Sequence, residues 1–254
     1  MTREQLVVLA LSVFAGGFAF GVTGFAYGVV ASLFLHHVLP PREAVFFLVA
    51  GGLLLNLAAL PRFWAEIQWK GCLPFLVGAT FGIPVGLMLL THLEPTTVRT
   101  LSSIVVVCYC AFALSRLEAA PLTFSPAWGR IADTGIGFAG GVLGGVAGLG
   151  PLLPSVWYGL RGKDKREARG LSQPFALHVQ GLMVVWLLWT GSLKVTGVTS
   201  LLFAIPPMLL GAWLGLRLFD VLSPSRFRLA IVWLSLLGGI ALLARQILAS
   251  LGEL

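Results

Sequence analysis

Residues 137–155 read GFAGGVLGGVAGLGPLLPS, with seven glycines among the fourteen residues 137–150, followed by prolines at 151 and 154. An interior glycine costs a helix about 0.5–1 kcal/mol relative to alanine, and proline lacks the N–H that an interior helical turn needs. A weaker version, GFAFGVTGFAYG, occupies residues 17–28. Both stretches predict interrupted helices.

The composition is that of a membrane protein. Of the 254 residues, 57% are hydrophobic and 11% are charged, whereas a soluble domain carries about 25% charged residues. A helix needs about 20 apolar residues to cross a bilayer core. We therefore predict an all-α polytopic membrane protein with about eight transmembrane segments, the first a retained span rather than a signal peptide. The charge-free stretches that hold them are Leu6–Leu35, Ala44–Leu60, Gly71–Leu93, Thr100–Ser115, Thr134–Leu160, Gly170–Leu193, Val195–Leu216 and Leu229–Ala244.

The chain also contains an internal repeat. Residues 17–28 match 137–148 at seven of twelve positions, with a difference of 120 in residue number. The tripeptide Arg-Glu-Ala recurs at a difference of 124 (42–44 and 166–168), and a third block recurs at 129 (82–99 and 211–228). These matches predict two homologous membrane repeats of four segments each, residues 1–119 and 120–254, within a single integral membrane domain.

Lysine and arginine predict the orientation. The loop 161–169 holds five basic residues, which indicates the cytoplasmic side. If the chain crosses the membrane at each apolar segment on either side of this loop, ten basic residues lie inside and seven outside. Both termini are then outside, and both halves have the same orientation. The first segment of each half is either a single span or a broken, re-entrant pair. In the second case the halves would be inverted repeats.

The glycines have two interpretations. Glycine pairs four residues apart are typical of close helix packing in membranes. The tandem glycines and prolines instead favour a helix broken near the midplane, whose freed N–H groups bind an anion. On the second interpretation the substrate-binding candidates in these stretches are Gly24, Tyr27, Gly28, Gly144, Gly145, Gly148 and Gly150.

Polar side chains within the apolar segments add four candidates. His178 lies in the sixth segment, with Gln173 and Gln180 close by in sequence; Asn56 matches Gln180 at the difference of 124. Such residues within a membrane are functional candidates by default, although His178 could simply bond a neighbouring helix. Since Gln173 and Gln180 share a helix face, we expect His178 to lie beside them.

Some protein classes are disfavoured. The apolar segments contain no Asp or Glu, so cation transport is not predicted, and proton coupling would have to use His178 or the substrate. The sequence contains no metal-ligand cluster, nucleophile–base pair or phosphate loop, so we predict no enzyme activity, metal or cofactor. The net charge of +7 mainly reports orientation, and no nucleic-acid partner is expected.

The paired glycine-rich stretches, each followed by an Arg-Glu-Ala element, resemble those of the TauE/SafE family of sulfite exporters and toluenesulfonate permeases. The pair GIPVGLMLLTHLEPTTVR and GAWLGLRLFDVLSPSRFR extends the resemblance over nearly the whole chain. The resemblance implies transport of sulfite, sulfonates and related organosulfur anions across the bacterial inner membrane, often outward and with proton-motive coupling.

We therefore predict a transporter that exports small sulfur-containing anions. The substrate would be held between the two repeats, and one half would rock against the other. The expected partners are a small anion, the lipid bilayer and protons as the coupling ion, with a homo-oligomer as an alternative to a monomer. The rival functions are a passive anion channel and a membrane scaffold subunit that transports nothing.

Overall fold

The computed structural model describes residues 3–24, 26–39, 41–115, 121–163, 165–190 and 195–221, together with five single positions between 233 and 244. The regular structure of these residues is helical. A short 3-10 turn, Trp64–Glu66, precedes the fourth of the α-helices, which are α1 (Arg3–Thr23), α2 (Tyr27–Val38), α3 (Pro41–Phe63), α4 (Trp69–His92), α5 (Pro95–Ser115), α6 (Pro126–Ala147), α7 (Leu152–Leu160), α8 (Lys165–Trp189) and α9 (Val195–Val221).

Within the described residues, five helices are long and apolar enough to cross a membrane: Glu4–Thr23, Glu43–Glu66, Trp69–His92, Gly170–Trp189 and Ser200–Leu218. A shorter apolar stretch, Thr96–Phe112, lies in α5. The predicted fifth segment, Thr134–Leu160, is divided between α6 and α7. The predicted last segment lies outside the continuously described residues. The fold is thus all-α and rich in candidate spans, while the count of eight stays a prediction.

The chain forms two compact units. Unit 1 comprises Met1–Ala44, Leu93–Leu117 and Ala204–Leu254, and unit 2 comprises Val45–His92 and Glu118–Phe203. Each unit therefore takes helices from both predicted halves. The division into homologous halves at residue 119 stays a prediction, because a sequence repeat and a compact unit are different properties.

A glycine in the left-handed conformation ends both α1 and α6. Gly24 has φ +86° and Gly148 has φ +71°. The Gly24 N–H donates to the carbonyl of Phe20 (2.6 Å), and the Gly148 N–H donates to that of Gly144 (2.8 Å). These bonds close a helix C-terminus in the way that glycine readily permits. Both predicted interruptions are therefore present.

At each interruption the chain turns back on itself. A Cβ at Gly16 would lie 2.9 Å from the Ala31 Cβ, and a Cβ at Gly140 would lie 3.2 Å from the ring of Pro154. In one continuous helix residues 16 and 31 would be about 22 Å apart. The structure thus has the broken, returning form of the first segment. With 12 and 9 residues, α2 and α7 are too short to span a bilayer.

Glycines bring the backbones of α4 and α6 into contact within unit 2. A Cβ on Gly78, Gly82 or Gly86 would strike the carbonyl of Thr134, Phe138 or Val142, respectively. Since both residue numbers rise together, the two helices are parallel. Side chains larger than hydrogen would separate them, so the packing interpretation of the glycines holds at this contact.

Unit 1 repeats the same contact between α1 and α9. A Cβ on Gly17 would strike the Met208 carbonyl, as one on Gly141 would approach the Ala79 carbonyl. Gly17 and Gly141 differ by 124 in residue number, and their partners Ala79 and Met208 differ by 129. The predicted difference of 120 for the glycine-rich stretches is therefore wrong by one helical turn. The cause is the spacing of the glycines, which lets the sequence match itself after a shift of four residues.

The directions of the helices in unit 2 correct a second expectation. Along α4, Gly71 and Thr80 contact Leu171 and His178 of α8, respectively, so these two helices are parallel. Along α3, Gly52 contacts Gln180 whereas the carbonyl of Asn56 meets Gln173, so α3 and α8 are antiparallel. Because the two Arg-Glu-Ala elements lie in the first turns of α3 and α8, the expected common orientation of the halves is wrong for this pair.

The contact of α4 with α6 also bears on the predicted motion. The first helix belongs to the first predicted half and the second to the other half. Their backbones touch without intervening side chains, and such close packing does not slide without loss of contact. Rocking of residues 1–119 against 120–254 would have to break this contact, and it stays a prediction.

Replacing Gly137 by alanine should destabilise the protein by about 1–3 kcal/mol, because the new Cβ would collide with the backbone of Phe75 on α4. Gly135, two residues earlier on α6, has nothing within 4 Å of its Cβ position. Gly135→Ala should therefore stabilise α6 by about 0.5–1 kcal/mol. Thermal unfolding of both variants in detergent measures the difference, and equal midpoints would contradict the packing described for α4 and α6.

Candidate substrate-binding site

Three of the predicted site residues belong to unit 1. Gly24 forms the turn after α1, and the Thr23 hydroxyl accepts a hydrogen bond from the Ala26 N–H across it (3.0 Å). Tyr27 is buried, with its ring against Gly16, and Gly28 is partly buried beside it. This turn is a packed connection of α1 with α2.

The other eight predicted residues belong to unit 2, where the turn after α6 lies between α3 and α8. A Cβ at Gly148 would lie 2.9 Å from the Leu48 Cβ of α3. A Cβ at Gly144 or Gly150 would lie 2.8 Å from the Val179 side chain of α8. The interruption therefore adjoins the same stretches of α3 and α8 that hold the polar candidates.

The backbone at this turn has few free donors. Four of its N–H groups bond within the turn and the first turn of α7, while Pro151 and Pro154 have no N–H at all. The bonds run from Gly148 to Gly144, Leu149 to Leu143 (3.4 Å), Leu152 to Leu149 (3.1 Å) and Ser155 to Pro151 (3.1 Å). These bonds reduce the number of N–H groups that could bind an anion, and binding by the backbone at this turn stays a prediction.

Three amide side chains form a buried cluster between α3 and α8. Asn56, Gln173 and Gln180 are 4%, 3% and 6% exposed. The Asn56 Nδ2 donates to Gln180 Oε1 (3.1 Å) and to its own helix at the Gly52 carbonyl (2.9 Å). The Gln173 Nε2 donates to the Asn56 carbonyl (3.0 Å). We call these three residues the amide cluster.

Gln180 has more donor capacity to spare than the other two members. Within the described residues, its hydrogen bond to Asn56 uses the oxygen, so its Nε2 group is left as a donor. The Nε2 atom lies directly against Gly52, where a Cβ would collide with it. Gly52 therefore makes the room that the longer Gln180 side chain needs, a role that the sequence reading did not assign.

His178 lies on a different face of α8. Its Nε2 is 2.8 Å from the Thr80 hydroxyl of α4, whereas Gln173 and Gln180 contact α3. The expectation that His178 adjoins the two glutamines is wrong, because residue 178 is rotated by about 140° from residue 173 on a helix of 3.6 residues per turn. Thr80 was not anticipated, as its pairing depends on the α4–α8 contact.

Gly145 lies at the contact between two helices and not at the turn where a substrate-binding role was expected. A Cβ there would lie 2.6–2.7 Å from the backbone of Gly86 and Leu87. It therefore belongs to the α4–α6 contact, unlike Gly144, Gly148 and Gly150 at the turn. The structure brings these three glycines and the amide cluster into one region of unit 2, and places His178 and Gly145 on neighbouring helix contacts.

A family model described as Sulfite exporter TauE/SafE matches residues 8–242. No curated protein and no solved structure gives a significant match. The match covers every helix that builds the amide cluster and both glycine turns.

Gly52→Ala should displace Gln180 and weaken its bond to Asn56, lowering stability by about 1–3 kcal/mol. Shortening the partner in the double variant Gly52→Ala/Gln180→Asn should recover part of that loss, since a shorter amide no longer overlaps the added methyl group. A double-mutant cycle on unfolding free energies measures the coupling, expected at about 0.5–3 kcal/mol. The control is Gly181→Ala, where the Cβ position is open; strictly additive effects would refute the contact.

Proposed function

The chain belongs to the TauE/SafE sulfite exporter family, and on that premise we propose that it exports small sulfur-containing oxyanions, such as sulfite or an organosulfonate, bound at the amide cluster. Members of this family are membrane transporters, and the apolar helices agree with an integral membrane protein. The observation that carries the proposal is the Gln180 Nε2 donor, which lies against Gly52 while the Oε1 of the same buried side chain accepts a hydrogen bond from Asn56.

Neutral amide donors suit a substrate that must leave again. Sulfite and sulfonate oxygens accept hydrogen bonds, and a charged partner such as arginine would bind them more strongly through paired donors. Transport requires binding that is favourable enough for entry yet weak enough for release. Amides with N–H groups at a protein interior meet both conditions without burying an unpaired positive charge.

The direction of the helices supports a site at an inverted-repeat axis. Asn56 and Gln180 stand 124 residues apart and bond to each other on antiparallel helices. Matching positions touch in this way where a pseudo-two-fold axis passes between them. Transporters with inverted repeats bind substrate near the midplane at such an axis, beside interrupted helices. We propose that α3 and α8 are the related pair.

The remaining features of the proposed transporter concern coupling and placement. His178, paired with Thr80 on the α4 side of α8, is the titratable group that we propose for proton-motive coupling.

The protein would lie in the bacterial inner membrane with both termini outside, surrounded by lipid, as a monomer or a homo-oligomer. The compact units, rather than the sequence halves, would be the bodies that move as wholes.

The first test is thermal stabilisation of the purified protein by sulfite, sulfate, thiosulfate, taurine, sulfoacetate and isethionate, against sodium chloride. An anion at 100 times its dissociation constant should stabilise the wild type by about 2.7 kcal/mol. Gln180→Leu keeps the side-chain volume but removes both the Nε2 donor and the Oε1 that accepts from Asn56, so it should abolish the shift. Gly181→Ala should keep it.

Flux in proteoliposomes completes this test. A carrier gives saturable flux of the stabilising anion that a second anion inhibits. Flux that does not saturate would indicate a passive channel instead, and absence of both flux and stabilisation would indicate a scaffold subunit. Either result would refute the proposed exporter.

A further inference from the structure

Most of the basic residues of unit 2 belong to one of its ends. There the 3-10 turn and the start of α4 adjoin the start of α8, since the Gln68 N–H donates to the Gly170 carbonyl (3.1 Å). We call this end of unit 2 the basic end. Lys194, outside it, follows the far end of α8 in sequence, whereas the basic residues of this end are Arg62, Lys70, Arg130, Arg161, Lys163, Lys165, Arg166 and Arg169.

Helices α6 and α7 meet the basic end as well. Because α6 runs parallel to α4 and Thr134 lies against Gly78, Trp128 is level with the first turn of α4. The returning helix α7 ends at the same height, since Arg161 pairs with Asp133 of α6 (3.4 Å). Within unit 2 the chain therefore comes to this end three times: after α3, before α6 and after α7.

This arrangement changes the distribution of charge expected from the sequence. A chain that crosses the membrane at every apolar segment would have Arg62, Lys70 and Arg130 on the side opposite to the loop 161–169. The structure has them at the same end as that loop, because α7 returns to the end at which α6 began. The two ends of unit 2 thus differ in basic residues more strongly than the sequence count indicates.

Exposed tryptophans indicate where the membrane surface meets unit 2. Trp64, Trp69 and Trp128 of the basic end are 60%, 56% and 67% exposed, and Trp186 and Trp189 near the far end of α8 are 39% and 83% exposed. Tryptophan is enriched at the headgroup level of both leaflets. The two groups are about 24–29 Å apart along α8, close to the thickness of a hydrocarbon core, about 30 Å. The basic end therefore lies at the headgroup level of one leaflet.

The charge of the basic end complements an anionic headgroup. Its eight basic residues exceed the four acidic ones, which are Glu66, Asp133, Asp164 and Glu167. Two of the acidic side chains pair with basic residues of the same end, Asp133 with Arg161 and Glu167 with Lys163 (both 3.4 Å). Lys70 and Arg130 are exposed. Positive charge thus remains in excess at the level of the lipid phosphates.

We propose that the basic end binds the phosphate headgroups of anionic phospholipids, and that it faces the cytoplasmic leaflet. The negative potential of that leaflet attracts lysine and arginine next to the membrane. The basic end is distinct from the amide cluster, because Gln180 lies about 15 Å further along α8 than Gly170. The inference is therefore independent of the anion that the protein exports.

The first test titrates the purified protein in detergent with phosphatidylglycerol or with phosphatidylcholine of the same acyl chains. The lipid concentration that gives half of the maximal rise in thermal midpoint is measured. Each basic residue near an anionic headgroup strengthens binding about fivefold, so Lys70→Gln/Arg130→Gln should need about thirtyfold more phosphatidylglycerol. Its midpoint without lipid should equal that of the wild type, because both side chains are exposed. Added salt should weaken the response of the wild type.

The control is Arg3→Gln/Lys194→Gln, which removes the same charge outside the basic end and should respond as the wild type does. An equal loss in this control would overturn the proposal, as would equal responses of the wild type to the two lipids. Inorganic phosphate at the same concentration should have no effect. Equal stabilisation by it would indicate a site for the soluble ion and would also overturn the lipid surface.

The second test labels Lys70→Cys with a membrane-impermeant maleimide. Inside-out membrane vesicles should be labelled and intact spheroplasts should not, with the wild type and its three free cysteines as the background. Labelling of intact spheroplasts above that background would overturn the cytoplasmic assignment. Neither test measures flux, so failure of this inference and failure of the proposed exporter are distinguishable.

Discussion

The close approach of backbones at the glycine contacts is the constraint on which the rest of the structure depends. Where α4 meets α6, and where α1 meets α9, the carbonyl of one helix occupies the space that a side chain would fill on the other. Such contacts permit a single register, because a shift of one residue brings a Cβ against backbone. They fix the parallel direction of each pair, and in unit 2 they set the height of the α6–α7 turn beside α3 and α8.

The apolar stretches and the glycine–proline run were sufficient to predict an all-α membrane fold with two interruptions, since both are local properties of the sequence. The reversal at each interruption was not decided by charge, because α2 and α7 carry no Lys, Arg, Asp or Glu to mark it. The register was misread because glycines every four residues match themselves after one turn. Gln173, Gln180 and Asn56 were identified from polarity alone, whereas Gly52 and Thr80 acquire a role only once neighbouring helices are placed.

Unit 2 combines two kinds of interior that seldom adjoin. One side is a close contact of glycine and backbone between α4 and α6. The other side, between α3 and α8, holds amides that bond to one another and to backbone carbonyls. The turn before the short helix α7 meets Val179 of α8, and Tyr158 of α7 packs on Phe75 of α4. A rigid contact that positions a polar one is the arrangement that preorganised binding requires.

The bond from Asn56 to Gln180 has a direction: the asparagine donates and the glutamine accepts. In a dimer of two identical chains, matching positions on the symmetry axis would carry the same amide. Either copy could then donate the hydrogen bond to the other, and the two directions would be equal in energy. Within one chain the two residues differ in length, and the space for the longer one exists on one side, because Gly52 faces Gln180 while position 176 is alanine. Because two different amides meet here, the two directions of this hydrogen bond are not equal in energy, and the amide cluster of unit 2 has a built-in polarity.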